Sequence, residues 1–374
     1  PAGQRPAGNG QRTTSGNGQK RVSAKQRAAK KRRKVIIFGV EIAVILIMVA
    51  VLYLVMTHTN NEGLKVTVLE TEELRIPEEV QQDEAMKGYM NIALFGVDAT
   101  KDSQLYKGSR SDSIMIASIN MDTGDIKLVS VYRDTYLNIG TDSYQKCNAA
   151  YSYGGAEQAV KMLNMNLDMD ITNFVTVGYK GLSEVIDGLG GVYIDVDSEE
   201  IKHINNYQIG IAEVLKCDYT PVTETGVQLL NGLQATAYCR IRYTAGSDFK
   251  RTERQRMVIS KIVEKAKSAG LGTINKIVDE VFPLVSTNIP KTTMIGMAAN
   301  MMSYELGESG GFPTYIENKK INKQDMVVPA DLELNVMELH KFLFGEEDYY
   351  PSPTVLKINE KIISDTGVTA KSTE

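Results

Sequence analysis

The chain has 374 residues, 42 Lys and Arg against 46 Asp and Glu, three histidines, three cysteines and no tryptophan. None of His58, His203 and His340 adjoins a nucleophile motif, which argues against a Ser-His-Asp hydrolase. Cys147, Cys217 and Cys239 fit no metal spacing, and their odd number excludes a full disulfide framework while leaving room for one bridge.

Charge is unevenly placed. Residues 1–34 carry 11 Lys or Arg and no acid, which leaves 31 basic against 46 acidic residues, about −15, on the remainder. This Gly-, Gln- and Ser-rich stretch cannot bury a core and reads as a disordered basic tail. Residues 35–56 follow as an apolar run in which Glu41 is the only charge. At about 1.5 Å per residue it is long enough to cross a hydrocarbon layer of roughly 30 Å. The apolar region of a cleaved signal peptide is only about 7 to 15 residues and ends in small residues, so this run is expected to stay attached as a transmembrane helix. Glu41, in its first third, reads as snorkelling to the inner interface or pairing with a partner helix. Lys and Arg beside a span are held on the cytoplasmic side. The expected localisation is therefore the cell membrane, single-pass, with a cytoplasmic amino terminus and the large carboxy-terminal part extracytoplasmic. No recognition helix or aromatic interleaving follows the basic tail, so membrane lipids, not nucleic acid, are its expected partners.

Residues 57–88 are charged and irregular, as a spacer would be. Asn91–Val97, Ile114–Asn120 and Ile126–Val131 then read as strands, the last two joined by the turn Asp122-Thr123-Gly124. Ala156, Ala159, Val160, Leu163 and Leu167 form the apolar stripe of a helix. Phe174–Val177 is a strand, Leu182–Leu189 a helix closed by Gly190-Gly191, and Val192–Val196 a strand. Leu229–Cys239 reads as helical, with Cys239 a small buried apolar residue. Asp248 is placed as the N-cap of a further helix on which Arg251, Gln255 and Ile259 stack at i, i+4 spacing, with Ile262, Val263 and Ala266 continuing into the core. Ile274–Val285, Thr292–Leu306 and Asp331–Phe344 read as helical. The expected architecture is one α/β domain over residues 89–350, an α/β/α sandwich with a mixed central sheet, followed by a tail at 351–374.

Two sets of charged residues about 130 positions apart carry the chemistry. One is Gly96-Val97-Asp98 with Ser109-Arg110-Ser111-Asp112-Ser113; the other is Arg240-Ile241-Arg242-Tyr243 with Asp248, Arg251, Arg254 and Gln255. If the segment 240–242 is extended, Arg240 and Arg242 point to one side. Arginine suits bidentate recognition of phosphate oxygens, and two spaced carboxylates are the usual protein share of a Mg²⁺ site. Like charges repel by about 4 kcal/mol at 4 Å and an effective dielectric near 20, so an anion is expected among the arginines. The competing reading is an ordinary ion-pair network with nearby Asp and Glu.

With the stretches Ser130-Val131-Tyr132-Arg133-Asp134-Thr135, Lys146-Cys147-Asn148-Ala149-Ala150-Tyr151, Gly154-Gly155, Leu189-Gly190-Gly191-Val192 and Leu230-Asn231-Gly232, these residues form an ordered set of blocks. Over nearly all of residues 91–269 the chain resembles the LytR-CpsA-Psr family of cell-envelope transferases. The resemblance implies a membrane-anchored phosphotransferase. Such an enzyme moves an anionic glycopolymer of teichoic acid or capsular type from an undecaprenyl-pyrophosphate carrier to peptidoglycan through a phosphodiester. It further implies that Asp98 and Asp112 hold Mg²⁺, or Mn²⁺, at the pyrophosphate. Arg133, Arg240 and Arg242 would act on its oxygens, with Arg110, Lys146, Asp248, Arg251, Arg254 and Gln255 as binding residues. Asp134 is a candidate general base and equally a partner that orients Arg133; substrate phosphate could also accept the proton.

Some positions depart from the family pattern. No arginine lies between Asp98 and Arg110, which leaves Lys101 or Lys107 as substitutes. Lys250 stands where glycine is common and Arg256 where a second glutamine is frequent, which bears on acceptor or polymer preference. Met294, Met297 and Met301 form a soft stripe that would serve either core packing or an apolar groove for the polyprenyl tail. The rival functions are a lipid pyrophosphate hydrolase and a non-catalytic wall-binding or regulatory membrane protein.

Overall fold

The computed structural model describes residues 69–99, 102–243 and 247–370. Apolar side chains alternate between two faces along the strands Tyr89–Val97 (β1), Ser111–Asn120 (β2) and Asp125–Val131 (β3), which pair antiparallel in that order. Because strand side chains have period two, Ala93, Phe95, Val97, Ile114, Ile116, Val129 and Val131 enter one core. Ile92, Leu94, Ala117, Ile119 and Leu128 enter another on the opposite side. Burial of both faces forces helices onto both sides of the sheet.

The hairpin Tyr136–Asn138 (β4) and Tyr144–Lys146 (β5) leads into the helix Ala149–Leu167. A single helical turn at Glu78–Gln81 (α1) precedes β1, so the longer helix is α2. Gly155 interrupts α2 at φ 68°, where a Cβ would lie 2.1 Å from the Tyr106 carbonyl oxygen; only glycine allows both the positive φ and the close approach. The strand Asn173–Val177 (β6) then pairs parallel to β1, and the helix Tyr179–Gly188 (α3) leaves from its carboxyl end.

Next comes a smaller layer. Strands Val192–Val196 (β7) and Gly226–Leu230 (β8) pair antiparallel, and between and after them lie the helices Ser198–Leu215 (α4) and Gly232–Tyr238 (α5). These elements share their own apolar cluster, which includes Ile186, Ile194, Ile204, Leu230, Tyr238 and Ile241. The long helix Ser247–Ser268 (α6), helix Leu271–Val281 (α7), strand Val285–Thr287 (β9) and helix Lys291–Ala299 (α8) follow. Strand Glu305–Phe312 (β10), the hairpin Ile316–Ile321 (β11) and Gln324–Pro329 (β12), and the helices Leu332–Phe344 (α9) and Pro353–Thr366 (α10) end the described chain. The main sheet runs β10-β3-β2-β1-β6-β9 and is mixed, with β1/β6 and β10/β3 parallel.

Several expectations need correction. Leu229 and Leu230 belong to β8, paired with Val192 and Tyr193, and the helix begins only after Asn231. Asn231 caps it in a reciprocal box with Gln234. Val285 lies in β9 and Glu305 and Leu306 in β10, each a strand where helix was expected. Asp248 sits within the first turn of α6 rather than capping it. Leu74, Val80 and Met86 are buried in the main core, as are Val355, Ile358 and Ile362 of α10, so the described residues 69–88 and 351–370 pack with the folded domain rather than standing free of it. Ser352 caps α10, accepting from the Val355 N–H, while the Asp168 carboxylate takes both the Ser352 N–H and hydroxyl at 2.6 Å. Among the described residues no helix is long and apolar enough to cross a membrane; the tail 1–34 and the expected span 35–56 lie outside the described residues.

If α10 is integral, truncating its buried face must cost as a core substitution does. Ile362→Ala is expected to lower the unfolding free energy of the protein by about 2–5 kcal/mol, read from urea titration. A loss below about 0.5 kcal/mol, typical of surface sites, would mean that the helix is not part of the core.

Candidate active site

Strand β1 and its parallel neighbour β6 bring Asp98 and Tyr179 to adjacent carboxyl ends, the place where α/β sheets bind ligands. On the other side of β1, register with β2 slips between Gly96 and Val97, which leaves Asp112 as an extra residue. A bulge of this kind re-aims a side chain, and both Asp112 and Ser113 line the cavity that opens here. Gly96 permits the tight pairing, since a Cβ there would fall 2.9 Å from the Ser113 Cβ.

Arg240 and Arg242 arrive from the end of α5. Ile241 between them is fully buried in the smaller apolar layer, and this anchor throws both arginines to the cavity. They alternate as an extended segment would, although the segment is irregular rather than a strand. Arg251, Gln255, Val258, Ile259 and Ile262 line it from α6.

At the rim, Arg240 Nη2 lies 3.5 Å from Asp98 Oδ2. Its guanidinium stacks over Tyr179 at 4.7 Å and Tyr207 at 5.2 Å, and the Tyr179 hydroxyl donates to the other oxygen of Asp98. Burial first, then the Asp98 carboxylate, push the Tyr179 phenol well up, so it remains a donor. Asp112 gathers the other cations. Arg133 Nη1 is 2.5 Å from one carboxylate oxygen, Arg242 Nη2 is 3.2 Å from the second, and Arg251 Nη2 donates to its carbonyl at 2.9 Å. Burial works to raise the Asp112 carboxyl, but Arg133, Arg251 and Arg242 outweigh it and hold the group below the usual carboxylate range.

Asp248 forms a second node, 3.1 Å from Arg251, 3.5 Å from Arg133 and 3.8 Å from Arg242. Arg251 is the most deeply placed, its side chain 2% exposed. Its Nε and Nη1 are buried without a hydrogen-bond partner. Burial, and then repulsion from Arg242 and Arg133, push its pKa down to about 10 despite Asp248 and Asp112. An unsatisfied buried guanidinium costs free energy that an incoming anion would relieve.

The remaining candidates are arranged around this core. Arg133 and Asp248 touch the rim carboxylate and arginines but do not line the cavity. Asp134 lies behind Arg133, 3.7 Å from its Nε, and takes Lys146 at 2.8 Å. Arg254 is turned elsewhere: its Nε pairs with buried Glu200 at 2.7 Å and its Nη1 reaches the Ile241 carbonyl at 3.4 Å. Arg110 is exposed and forms no ion pair among the described residues. Gln255 lines the cavity while its amide donates to the Cys239 carbonyl at 3.3 Å. Tyr179 and Tyr207 were absent from the expected set. Tyr179 had a signal, since it follows directly on a strand end, whereas Tyr207 lies mid-helix and had none.

Below the rim the cavity, about 620 Å³ in volume, is apolar. Leu94 and Met115 come from the sheet, Leu182 from α3, Ile277 and Val281 from α7, and Met294 from α8. Met297 and Met301 pack against the same face of the sheet rather than lining the cavity. The three cysteines are unpaired. Cys239 lines the cavity wall, with its thiol pushed up to about 12 by burial.

A cationic rim with two carboxylates over an apolar chamber defines an α/β protein suited to an amphiphile with an anionic head. The chain belongs to the LytR_cpsA_psr family, whose profile matches residues 53–338. Among its relatives, the polyisoprenyl-teichoic acid–peptidoglycan teichoic acid transferase TagU of Enterococcus faecalis is 32% identical over 201 residues, 53% of this chain and 60% of that one. TagT of Bacillus subtilis, which carries the same transferase name, is 29% identical over 226 residues, 60% and 67% of the two chains. The match therefore spans about three-fifths of the first relative's length. The crystal structure of B. subtilis TagV shares the fold with a TM-score of 0.55 and 25% identity, over 71% of this chain and 99% of that one.

Two outcomes follow from the ion pairs. Arg254→Ala leaves Glu200 buried and unpaired, so an unfolding free energy lower by about 3–5 kcal/mol is expected, against less than about 0.5 kcal/mol for Arg110→Ala. Asp112 has a depressed folded pKa, so its contribution to stability is complete above the unfolded value of 3.8 and is lost as pH falls below it. Asp112→Asn should accordingly flatten the acid limb of the stability–pH curve measured by urea midpoints.

Proposed function

We propose that this protein is a membrane-anchored phosphotransferase. It moves an anionic glycopolymer of teichoic acid or capsular type from a polyprenyl-pyrophosphate carrier to peptidoglycan through a phosphodiester bond. One observation carries the reading. Buried Arg251, with two unsatisfied donors, stands among Arg240, Arg242, Asp98 and Asp112 directly above an apolar cavity of about 620 Å³. A diphosphate at the rim and a prenyl chain below it match these two surfaces in charge and polarity. The transferase names of the E. faecalis and B. subtilis relatives support a teichoic acid type of polymer.

Phosphoryl transfer rests on positioning and charge neutralisation more than on covalent chemistry by the protein. Arg240 is held between Tyr179 and Tyr207, which fix its plane before a ligand arrives. Arg242 and Arg251, which both reach Asp112 while Arg240 pairs with Asp98, would take the oxygens of the second phosphate. Arg133 keeps the Asp112 carboxylate in place, and Asp134, engaged by Lys146 and Arg133, acts as a positioning residue for both. The donors fit a hard cation: Asp98, its side chain 44% exposed, and Asp112 offer carboxylate oxygens at one rim, and oxygen donors suit Mg²⁺ or Mn²⁺. Such an ion would stabilise charge on the transferring phosphate.

The apolar stretch 35–56 serves in this reading as the anchor, with the folded part outside the membrane. That arrangement puts the cavity on the side where peptidoglycan is met.

The decisive assay uses the full-length protein, a short polyprenyl-pyrophosphate-linked glycan and peptidoglycan fragments with Mg²⁺. Arg240→Ala and Arg242→Ala are each expected to lower polymer attachment by about 10²–10³-fold, the scale for loss of one charge-stabilising group. Asp98→Asn should raise the Mg²⁺ concentration needed for half-maximal rate. Phosphate release without acceptor would identify a lipid pyrophosphate hydrolase instead. An unchanged donor under all conditions would leave a wall-binding or regulatory protein.

A further inference from the structure

On the face of the sheet remote from the rim arginines, three ligand-type side chains from separate segments meet. Asp83 follows α1, His340 lies on α9 and Glu346 follows that helix. One donor atom from each lies within 4.8 Å of the other two, the one such trio among the described residues.

The histidine sets the chemistry. His340 is fully buried, and its Nε2 faces the Leu167 carbonyl oxygen at 3.0 Å. A carbonyl only accepts, so Nε2 carries a proton, and in the neutral tautomer of that ring Nδ1 presents a lone pair. Nδ1 has no hydrogen-bond partner, and neither does Glu346 Oε2, also buried, 3.5 Å away. In that tautomer two acceptors face each other, an arrangement that a cation between them would satisfy. Asp83 uses one oxygen for the Ala85 N–H at 2.8 Å, which leaves the other for a ligand. The ring is fixed in orientation by stacking on Tyr349 at 3.6 Å and 13°, and by the edge of Phe344 at 5.4 Å. A carbonyl that holds the far nitrogen while the near one points at carboxylates is the arrangement that orients metal-bound histidines.

The surrounding charge favours a cation. Asp168 is satisfied by Ser352 and Asp170 by Asn91 at 2.6 Å. None of Asp83, Asp168, Asp170 and Glu346 pairs with a lysine or arginine among the described residues, while such pairs crowd the rim on the other face.

We propose that Asp83, His340 and Glu346 form a second metal site, independent of the rim, that takes a divalent transition ion such as Zn²⁺ or Mn²⁺. One imidazole nitrogen and two carboxylates are a borderline donor set of the kind these ions accept, and water completes the coordination. The site is structural. It clips the segment ahead of β1 to α9 and the loop that leads into α10, three parts of the chain far apart in sequence.

The test uses full-length protein stripped with chelator, in an Asp98→Asn, Asp112→Asn background so that the rim carboxylates do not compete. Calorimetric titration with Zn²⁺ and with Mn²⁺ is expected to show one ion per chain, together with a rise in melting temperature. Glu346→Gln and Asp83→Asn, nearly isosteric, should each weaken binding by about tenfold or more. Co²⁺ should give visible absorption bands that His340→Gln removes, with circular dichroism checking that each variant is folded. Binding unchanged by both carboxylate substitutions would overturn the proposal. So would the absence of any uptake in the calorimetric titration.

Discussion

Asp112 is the charge around which the rim is assembled. Three guanidinium groups from β3's end, the end of α5 and the first turns of α6 converge on this one residue, at 2.5, 3.2 and 2.9 Å. Packed together without it they would repel by several kcal/mol at the effective dielectric of a half-buried site. A β-bulge aims it, glycine at position 96 lets the strands close beside it, and Asp248 supplies the second negative charge. Even so, the balance stays positive at Arg251, whose remaining donors are left unsatisfied. The fold stores this excess of positive charge at the mouth of the apolar cavity.

Much of this was legible in the sequence because the apolar runs, one helical stripe and one charge pattern are strong. Short apolar runs, two of them joined by the turn Asp122-Thr123-Gly124, marked β1, β2 and β3, and the stripe Ala156, Ala159, Val160, Leu163 and Leu167 marked α2. The rim was legible because carboxylates in one set and closely spaced arginines in the other are costly to hold apart, so the two sets pointed to one site. Strand β10 was not legible. Its sequence Glu305-Leu-Gly-Glu-Ser-Gly-Gly-Phe312 has poor strand propensity, and only pairing with β3 makes it a strand. Helix α10, expected as a tail, carries ordinary helix signals in Ser352-Pro353 and in the spacing of Val355, Ile358 and Ile362.

Arg254 shows the limit of reading a motif as a site. It sits three residues from Arg251 on the same helix, yet 3.6 residues per turn separates their directions enough that one faces the cavity and the other a buried glutamate. Glu200 also closes the capping box of α4 with Asp197. The Arg254–Glu200 pair therefore joins α6, which carries Arg251, to the layer that carries Arg240 and Arg242.

That smaller layer has its own apolar cluster, separate from both faces of the main sheet. Val227 and Leu229 on its β8 strand turn outward, 71% and 49% exposed. The rim is thus a seam between two apolar clusters of one folded unit. Because Arg240 and Arg242 are carried by the smaller layer and Asp98 and Asp112 by the main sheet, any slip of one cluster against the other changes the gap between cation and carboxylate.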